Sequence, residues 1–398
     1  MSTAPRILLV SGGTGGHLYP GLAVAEAILA EYPDAVITVL GPEGRTDHDA
    51  IAPYRFRVLT LRVRGLASGA RWYRRVQSAL ELAVGTPVRA ARRLLRREQP
   101  EVVFATGGYV AGPVLVAAKR LGIPSVLFDM NCPVGLATRW AAGFASVVAL
   151  GSSDCADDLT RPRWRLPGST WPPQVEITGT PVRRAILETD RDAARRALGV
   201  PASALALVVT SGSLGARPVN EAVVGALSLL AADEALCARL WVLHLTGPRN
   251  AVALPADRAR QLGLNYRAEP FRREMAQPLA AADLVVTRAG GSALAEITAR
   301  GLPAIVIPWA GAPAGHQEGN ARRLESREAA VVIRETELTP ERLAEEIRAL
   351  CQNAQRRAEL AARARAAGAP DAATRVAALV LALRRADARR TMRTSSPS

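Results

Sequence analysis

Short aliphatic runs alternate with longer Ala- and Leu-rich stretches along this chain, in two successive series, and several of the runs end in clustered glycines. Arg6-Ile-Leu-Leu-Val10 reads as a buried strand leading into Ser11-Gly-Gly-Thr-Gly-Gly16, and the stretch from Tyr19 to about Glu31 reads as a helix. Ala35–Leu40, Glu101–Ala105, Ser125–Phe128 and Ser146–Leu150 repeat the pattern. A second series opens with Ala204–Thr210 and Ser211-Gly-Ser-Leu-Gly215, then continues through Leu240–His244, Leu284–Thr287 and Ala304–Pro308. Strands alternating with helices pack as a parallel sheet covered on both faces. The 398 residues have room for two or three domains at roughly 150 each. The expectation is therefore an α/β chain of two tandem units, 1–180 and 181–365, divided near Thr178-Gly-Thr-Pro-Val-Arg183. Ala366 to Arg385 reads as a final helix and 389–398 as a polar, disordered tail.

In open parallel sheets, ligands bind beyond the carboxyl ends of the strands. Three glycine loops lie there: Gly12–Gly16, Thr106-Gly-Gly-Tyr109 and Ser211–Gly215. Each opens a helix, whose free N–H groups and positive dipole end favour phosphate. The P-loop pattern is absent, and Lys119 is the only lysine. A nicotinamide cofactor is not favoured, because Glu43 stands beyond the turn after the second strand instead of at its end. His17, His244 and His316 follow or end strands, where an imidazole suits proton transfer near neutral pH. The triplets Asp47-His-Asp49 and Asp190-Arg-Asp192 precede helical stretches and read as caps, so no metal site is expected. Glu296, beyond the Gly290-Gly291 turn, could accept two hydrogen bonds from a ribose diol.

Lys and Arg total 51 against 36 Asp and Glu, a net +15 that attracts anions: nucleic acid, acidic lipid or phosphorylated ligands. Cys132, Cys155, Cys237 and Cys351 lie far apart and read as free thiols in a reducing compartment. The N-terminus lacks the features of a secretory signal, and no run approaches about 18 apolar residues. A cytoplasmic protein that can attach to a membrane is expected.

Gly12-Gly-Thr-Gly-Gly-His17 with Pro20, Thr106–Pro113, Gly212-Ser213 with Gly215-Ala-Arg217 and Asn220, Arg288-Ala-Gly290 with Glu296, and Gly315-His-Gln-Glu-Gly-Asn-Ala321 together resemble the MurG family of peptidoglycan N-acetylglucosaminyltransferases. The resemblance implies a GT-B fold of two Rossmann-like domains around a cleft, with the C-terminal helix (366–388) returning to the first domain. It implies inverting transfer of N-acetylglucosamine from UDP-N-acetylglucosamine to undecaprenyl-diphospho-muramyl-pentapeptide at the cytoplasmic face of the plasma membrane, with no essential metal and no cofactor. By position, Thr14, Gly15 and Gly16 would bind diphosphate, and Arg183 and Ser213 the donor's phosphates or nearby groups. Gly291, Ser292, Ala293, Leu294, Ala295 and Glu296 would face the diphosphate and sugar, with Glu296 on the ribose. Asn131 and Gln317 would contact the transferred sugar, and the uracil would lie against the backbone near Arg272. His17 is the first choice of base and Asp129 the second. The chain departs from the family pattern at Phe128-Asp-Met-Asn131, at Leu214 and Leu245 where glutamine is usual, at Arg272 and at Thr180.

Arg62 to Arg97 interleaves arginines with Leu66, Trp72, Tyr73, Val76, Leu80, Leu94 and Leu95, a composition suited to an anionic membrane surface. Alternatives are another GT-B nucleotide-sugar enzyme, such as a glycolipid glycosyltransferase or UDP-sugar epimerase, and a basic nucleic-acid-binding protein. Against the last stand the 4% aromatic content and the lack of any zinc or RNA-binding motif.

Overall fold

The computed structural model describes residues 4–13, 15–63, 85–160, 168–212 and 214–394, with 386–394 described by backbone alone. The chain divides into two compact units, Met1–Arg183 with Asp371–Ser398, and Arg184–Pro370. Both boundaries fall a few residues beyond those expected, so Arg183 belongs to the first unit.

The first unit carries seven parallel strands: β1 (Arg6–Val10), β2 (Val36–Pro42), β3 (Arg57–Leu61), β4 (Val102–Ala105), β5 (Ser125–Asp129), β6 (Val147–Leu150) and β7 (Val175–Ile177). Their order is β3-β2-β1-β4-β5-β6-β7, so the direction of strand addition reverses between β1 and β4. Alternation along each strand feeds two cores. Ile7 and Leu9 of β1, Val102 and Phe104 of β4, and Val126 and Phe128 of β5 face one side, where the Gly15–Glu31 helix supplies Leu18, Leu22 and Ile28. Leu8, Val10, Val103, Ala105 and Leu127 face the other, against Val88, Ala91 and Leu95 of the Thr86–Glu98 helix and Val114 and Leu115 of the Ala111–Arg120 helix.

In the second unit the strands are β8 (Leu205–Thr210), β9 (Leu240–Leu245), β10 (Asn265–Glu269), β11 (Leu284–Arg288), β12 (Ala304–Ile307) and β13 (Val331–Val332). They run parallel in the order β10-β9-β8-β11-β12-β13, reversing between β8 and β11. Leu207, Val209, Val286, Ile305 and Ile307 pack under Val223 and Leu227 of the Arg217–Leu230 helix and Leu343, Ile347 and Leu350 of the Pro340–Gln352 helix.

The C-terminal segment corrects two expectations. Helices Ala354–Ala367 and Ala372–Thr394 replace the single helix expected at 366–385. Between them Gly368 packs so closely on the Thr298 carbonyl that a Cβ there would lie 2.6 Å from its oxygen. Pro370, two residues on, cannot sit in a helix interior. The second helix continues to Thr394, through most of the tail expected to be disordered, because alanine and arginine are strong helix formers. Residues 395–398 lie outside the described residues. The stretch Ala354–Arg385, taken across the break at 368–371, is long and apolar enough in composition to cross a membrane. Its apolar face is nevertheless occupied: Val376, Ala377, Val380 and Leu381 are buried in the first unit's core, and Arg384 Nε donates to Glu101 Oε2 at 3.1 Å. Val376→Ala, which removes buried methyls beneath this helix, should destabilise the first unit by about 2 kcal/mol in urea denaturation.

Candidate active site

The turns that follow β1 and β4 meet at the strand-order reversal of the first sheet. The Gly15–Glu31 helix starts directly out of the first glycine loop, so the amides of Gly15 and Gly16 are among the first-turn donors that no helical carbonyl reaches. Thr14 lies outside the described residues. His17 turns back toward β4, and its Nδ1 lies 2.7 Å from the Thr106 carbonyl oxygen. A carbonyl only accepts, so Nδ1 carries the hydrogen and the neutral ring keeps its lone pair on Nε2, the form a general base requires. Glycine makes room for this ring. A Cβ on Gly12 would lie 2.8 Å from His17 Cδ2, and one on Gly107 (φ +84°) would lie 3.5 Å from Cε1 and Nδ1. One turn along, the Tyr19 ring lies against Gly15 and carries the Arg183 guanidinium, whose Cζ is 4.2 Å from the ring centroid. Arg183 is buried and sits beside the first glycine loop, within the unit opposite to the one expected for it.

Asp129 ends β5 with a carboxylate only 4% exposed. Its Oδ1 accepts from the Asn131 amide (2.9 Å) and Asn131 Nδ2 (3.3 Å), and its Oδ2 accepts from the Gly135 amide (3.1 Å). These bonds tie Asp129, the second choice of base, to the 131–135 loop. Asn131, expected on the sugar, is held at the rim of that loop.

In the second unit the turn after β8 runs Ser211 to Gly215; Ser213 is outside the described residues. Gly215 (φ +78°) and Gly247 (φ +80°) press backbone against backbone, leaving no space for a Cβ on either. Beneath the turn, Asn220 accepts from Ser211 Oγ (2.9 Å) and donates to the Thr246 and Asn250 carbonyls (2.7 Å each). His244, fully buried, lies 3.0 Å from Asn220 Oδ1 through Nε2 and 2.9 Å from the Tyr266 hydroxyl through Nδ1. Burial pushes its pKa down from 6.5 to about 4. His244 is thus a neutral core group and not the loop acid–base residue its position suggested.

After β11, Gly290 caps the Gly291–Arg300 helix. Gly291, Ser292 and Ala293 present first-turn amides, whereas the Leu294 amide already bonds the Gly290 carbonyl at 3.0 Å. Leu294 is also wholly buried, while Ala295 and Glu296 are buried at the edge of the accessible surface, at 9% exposure each. Asn320 Nδ2 bonds the Ala289 carbonyl at 3.1 Å and fixes the turn. Gln317 accepts from the Trp309 amide at 3.0 Å, leaving an Nε2 that donates to no described residue. Arg288, taken for a motif residue only, donates to the carbonyls of Ile307 and Pro308 and pairs with Glu335 at 2.6 Å. Glu335 in turn accepts from the Ala310 amide, so this pair shapes the turn after β12. Arg272 grips Glu269 through two bonds of 2.8 and 2.6 Å, which hold the Glu269 pKa down; only the nearby backbone remains for a base. His316 Nδ1 lies 2.6 Å from the Pro313 carbonyl oxygen, closing the turn before its own helix.

The aspartate triplets cap helices, Asp47 accepting from Ala50 N (3.1 Å) and Asp190 from Ala193 N (2.8 Å). Thr106, Tyr19, Asn220, Tyr266 and Glu335 are the contributors that sequence reasoning did not assign roles. Only the glycine adjoining Thr106, and the place of Asn220 in a motif, could have pointed to any of them.

Two all-parallel α/β sheets, each offering glycine turns and uncommitted helix amides at its strand-order reversal, are the architecture of a GT-B glycosyltransferase. Residues 7–150 match the glycosyltransferase family 28 N-terminal domain and 206–376 its C-terminal domain. A Moorella thermoacetica protein named UDP-N-acetylglucosamine–N-acetylmuramyl-(pentapeptide) pyrophosphoryl-undecaprenol N-acetylglucosamine transferase is 34% identical over 94% of this chain and 98% of its own. A Synechococcus elongatus protein of the same name is 37% identical over 87% and 88%. Among solved structures, Acinetobacter baumannii MurG superimposes with a TM-score of 0.67 at 25% identity, covering 95% of this chain and 99% of that one. The chain belongs to the MurG family.

The depressed pKa of His244 sets a stability slope. As pH falls below 6.5 the unfolded chain binds a proton that the folded chain refuses until about pH 4, so stability is lost across that window. Between pH 7 and 5 the loss should be about 2 kcal/mol in denaturant titrations, and His244→Gln should remove that portion of the slope.

Proposed function

We propose that this protein is an inverting hexosyltransferase. It moves N-acetylglucosamine from UDP-N-acetylglucosamine to undecaprenyl-diphospho-N-acetylmuramyl-pentapeptide, converting lipid I to lipid II in peptidoglycan synthesis. Membership of the MurG family supports the two substrates. The observation that carries the chemistry is the hydrogen bond between His17 and the Thr106 carbonyl, which presents Nε2 as a proton acceptor beside a diphosphate-binding turn.

In this reading His17 Nε2 takes the proton of the acceptor's sugar hydroxyl as its oxygen attacks the anomeric carbon. The bond from that carbon to the diphosphate oxygen breaks, and UDP leaves with the electron pair. The Gly291–Ala293 amides and the turn carrying Ser213 receive the negative charge developing on UDP. Glu296 accepts from the ribose, Gln317 Nε2 and Asn131 reach the transferred sugar, and backbone near Arg272 meets the uracil. Gly15, Gly16 and Thr14 hold diphosphate, with the Arg183 charge close by. His17→Ala should lower kcat roughly 100- to 10,000-fold while leaving the dissociation constant for UDP unchanged by calorimetry. Near-normal turnover in a radiolabelled transfer assay would remove His17 from the role of base, and failure of UDP-N-acetylglucosamine to bind would remove the donor.

The acceptor's prenyl chain places the reaction at the cytoplasmic face of the membrane in this reading. Arg89, Arg92, Arg93, Arg96 and Arg97 form the exposed face of the Thr86–Glu98 helix. Leu95 is in the core and Leu94 packs against it, so these two do not face lipid as expected. Leu66, Trp72, Tyr73, Val76 and Leu80 lie outside the described residues. Each arginine contributes about 1 kcal/mol near an anionic surface. Replacing Arg92, Arg93 and Arg96 with glutamate should abolish most binding to phosphatidylglycerol vesicles at low salt while leaving transfer to a water-soluble acceptor intact. Undiminished vesicle binding would exclude this face.

A further inference from the structure

A chain of oriented hydrogen bonds runs beneath the Ser211–Gly215 turn, and its directions can be assigned without ambiguity. Asn220 uses its Nδ2 group on the carbonyls of Thr246 and Asn250, so its Oδ1 faces Ser211 and His244. An oxygen accepts, so His244 Nε2 carries the hydrogen and Nδ1 must accept from the Tyr266 hydroxyl. The Tyr266 oxygen accepts in turn from the Leu254 amide at 3.2 Å. At the other end, Asn250 Nδ2 donates to the carbonyls of Gly215 (3.0 Å) and Leu214 (3.3 Å), within the turn itself. Asn220 and His244 are both wholly buried, so bulk water cannot replace the bond between them.

We infer that His244 and Tyr266 are positioning residues for the donor diphosphate, acting through Asn220 and Asn250 to hold the backbone at Leu214 and Gly215. The inference rests on the donor reading above. The charge state of His244 is part of the device. A protonated imidazole would put a second N–H against the Tyr266 hydroxyl, which must then release its own hydrogen from the ring. Burial keeps the ring neutral down to about pH 4, so the turn stays set throughout the physiological range. Losing the Tyr266 hydroxyl leaves the Nδ1 lone pair and the Leu254 amide without their partner, so the ring loses the contact that fixes it against Asn220 Oδ1.

Tyr266→Phe deletes one oxygen and leaves the packing of the ring. It should weaken UDP binding about tenfold by calorimetry and raise the donor KM to match, with acceptor KM and kcat at saturating donor close to wild type. His244→Leu should act in the same way. His244→Gln, whose amide N–H can still reach Asn220, should restore affinity to within about threefold and make Tyr266→Phe nearly silent in its background. UDP affinities of Tyr266→Phe and His244→Leu equal to the wild type's overturn the inference, as does a parallel rise of donor and acceptor KM, which would mark general disorder. Failure of the unsubstituted protein to bind UDP overturns the donor assignment itself, and this inference with it.

Discussion

The hydrogen bond from His17 Nδ1 to the Thr106 carbonyl is the interaction that joins the first unit's two glycine turns. It ties the turn after β1 to the turn after β4, the one place in that sheet where neighbouring strands send their connections to opposite sides. It also selects the tautomer. Histidines are often oriented by a carboxylate; here a main-chain carbonyl does it and adds no charge beside the first glycine loop. The demand this makes on the sequence is steric. Gly12 lacks a Cβ that would press on the ring, and Gly107 takes a φ of +84° that other residues rarely adopt.

The second unit solves a related problem with a different histidine. Its turn after β8 also lies at a strand-order reversal, yet the imidazole nearby is sealed in the core and serves as a neutral link between tyrosine and asparagine. The contrast follows from chain position. His17 occupies the first turn of a helix, where side chains emerge beside free amides, whereas His244 lies within β9, flanked by β8 and β10. The same residue type thus sits beside free helix amides or serves as an internal strut according to which element carries it.

The central strands of both sheets were legible from their aliphatic runs, and the strands that were not are all edges: β3, β7, β10 and β13. A central strand is buried on both faces and must be apolar throughout; an edge such as Asn265–Glu269 is half exposed and carries no such signature. Glycine turns and aspartate caps were legible because both are local devices. What escaped was non-local. The commitment of Asp129 to the amides of Asn131 and Gly135, the packing of Arg183 on Tyr19, and the burial of Leu294 depend on which groups the folded chain brings near. The family resemblance had assigned these three by position to a base, a phosphate-binding arginine and a substrate contact.

The same non-locality governs the positive charge. Arg195 reaches the carbonyls of Ala281, Pro201 and Ala204 as well as Asp283, and Arg300 gathers those of Ile186, Leu187 and Thr189. Arg288 does likewise for Ile307 and Pro308, and Lys119 holds Gly143 and Thr170. A planar fork with five donors can close several carbonyls at once where helices and strands end, which favours arginine over lysine for this work. These cations are already hydrogen-bonded within the protein, and Asp283 and Glu335 balance those of Arg195 and Arg288. The arginines on the outer face of Thr86–Glu98 differ, because the apolar positions of that helix are turned to the core and its cations to solvent. Attraction to an anionic surface has to be argued from such a face. The total charge, which counts struts and surface alike, cannot distinguish a lipid-binding enzyme from a nucleic-acid-binding protein.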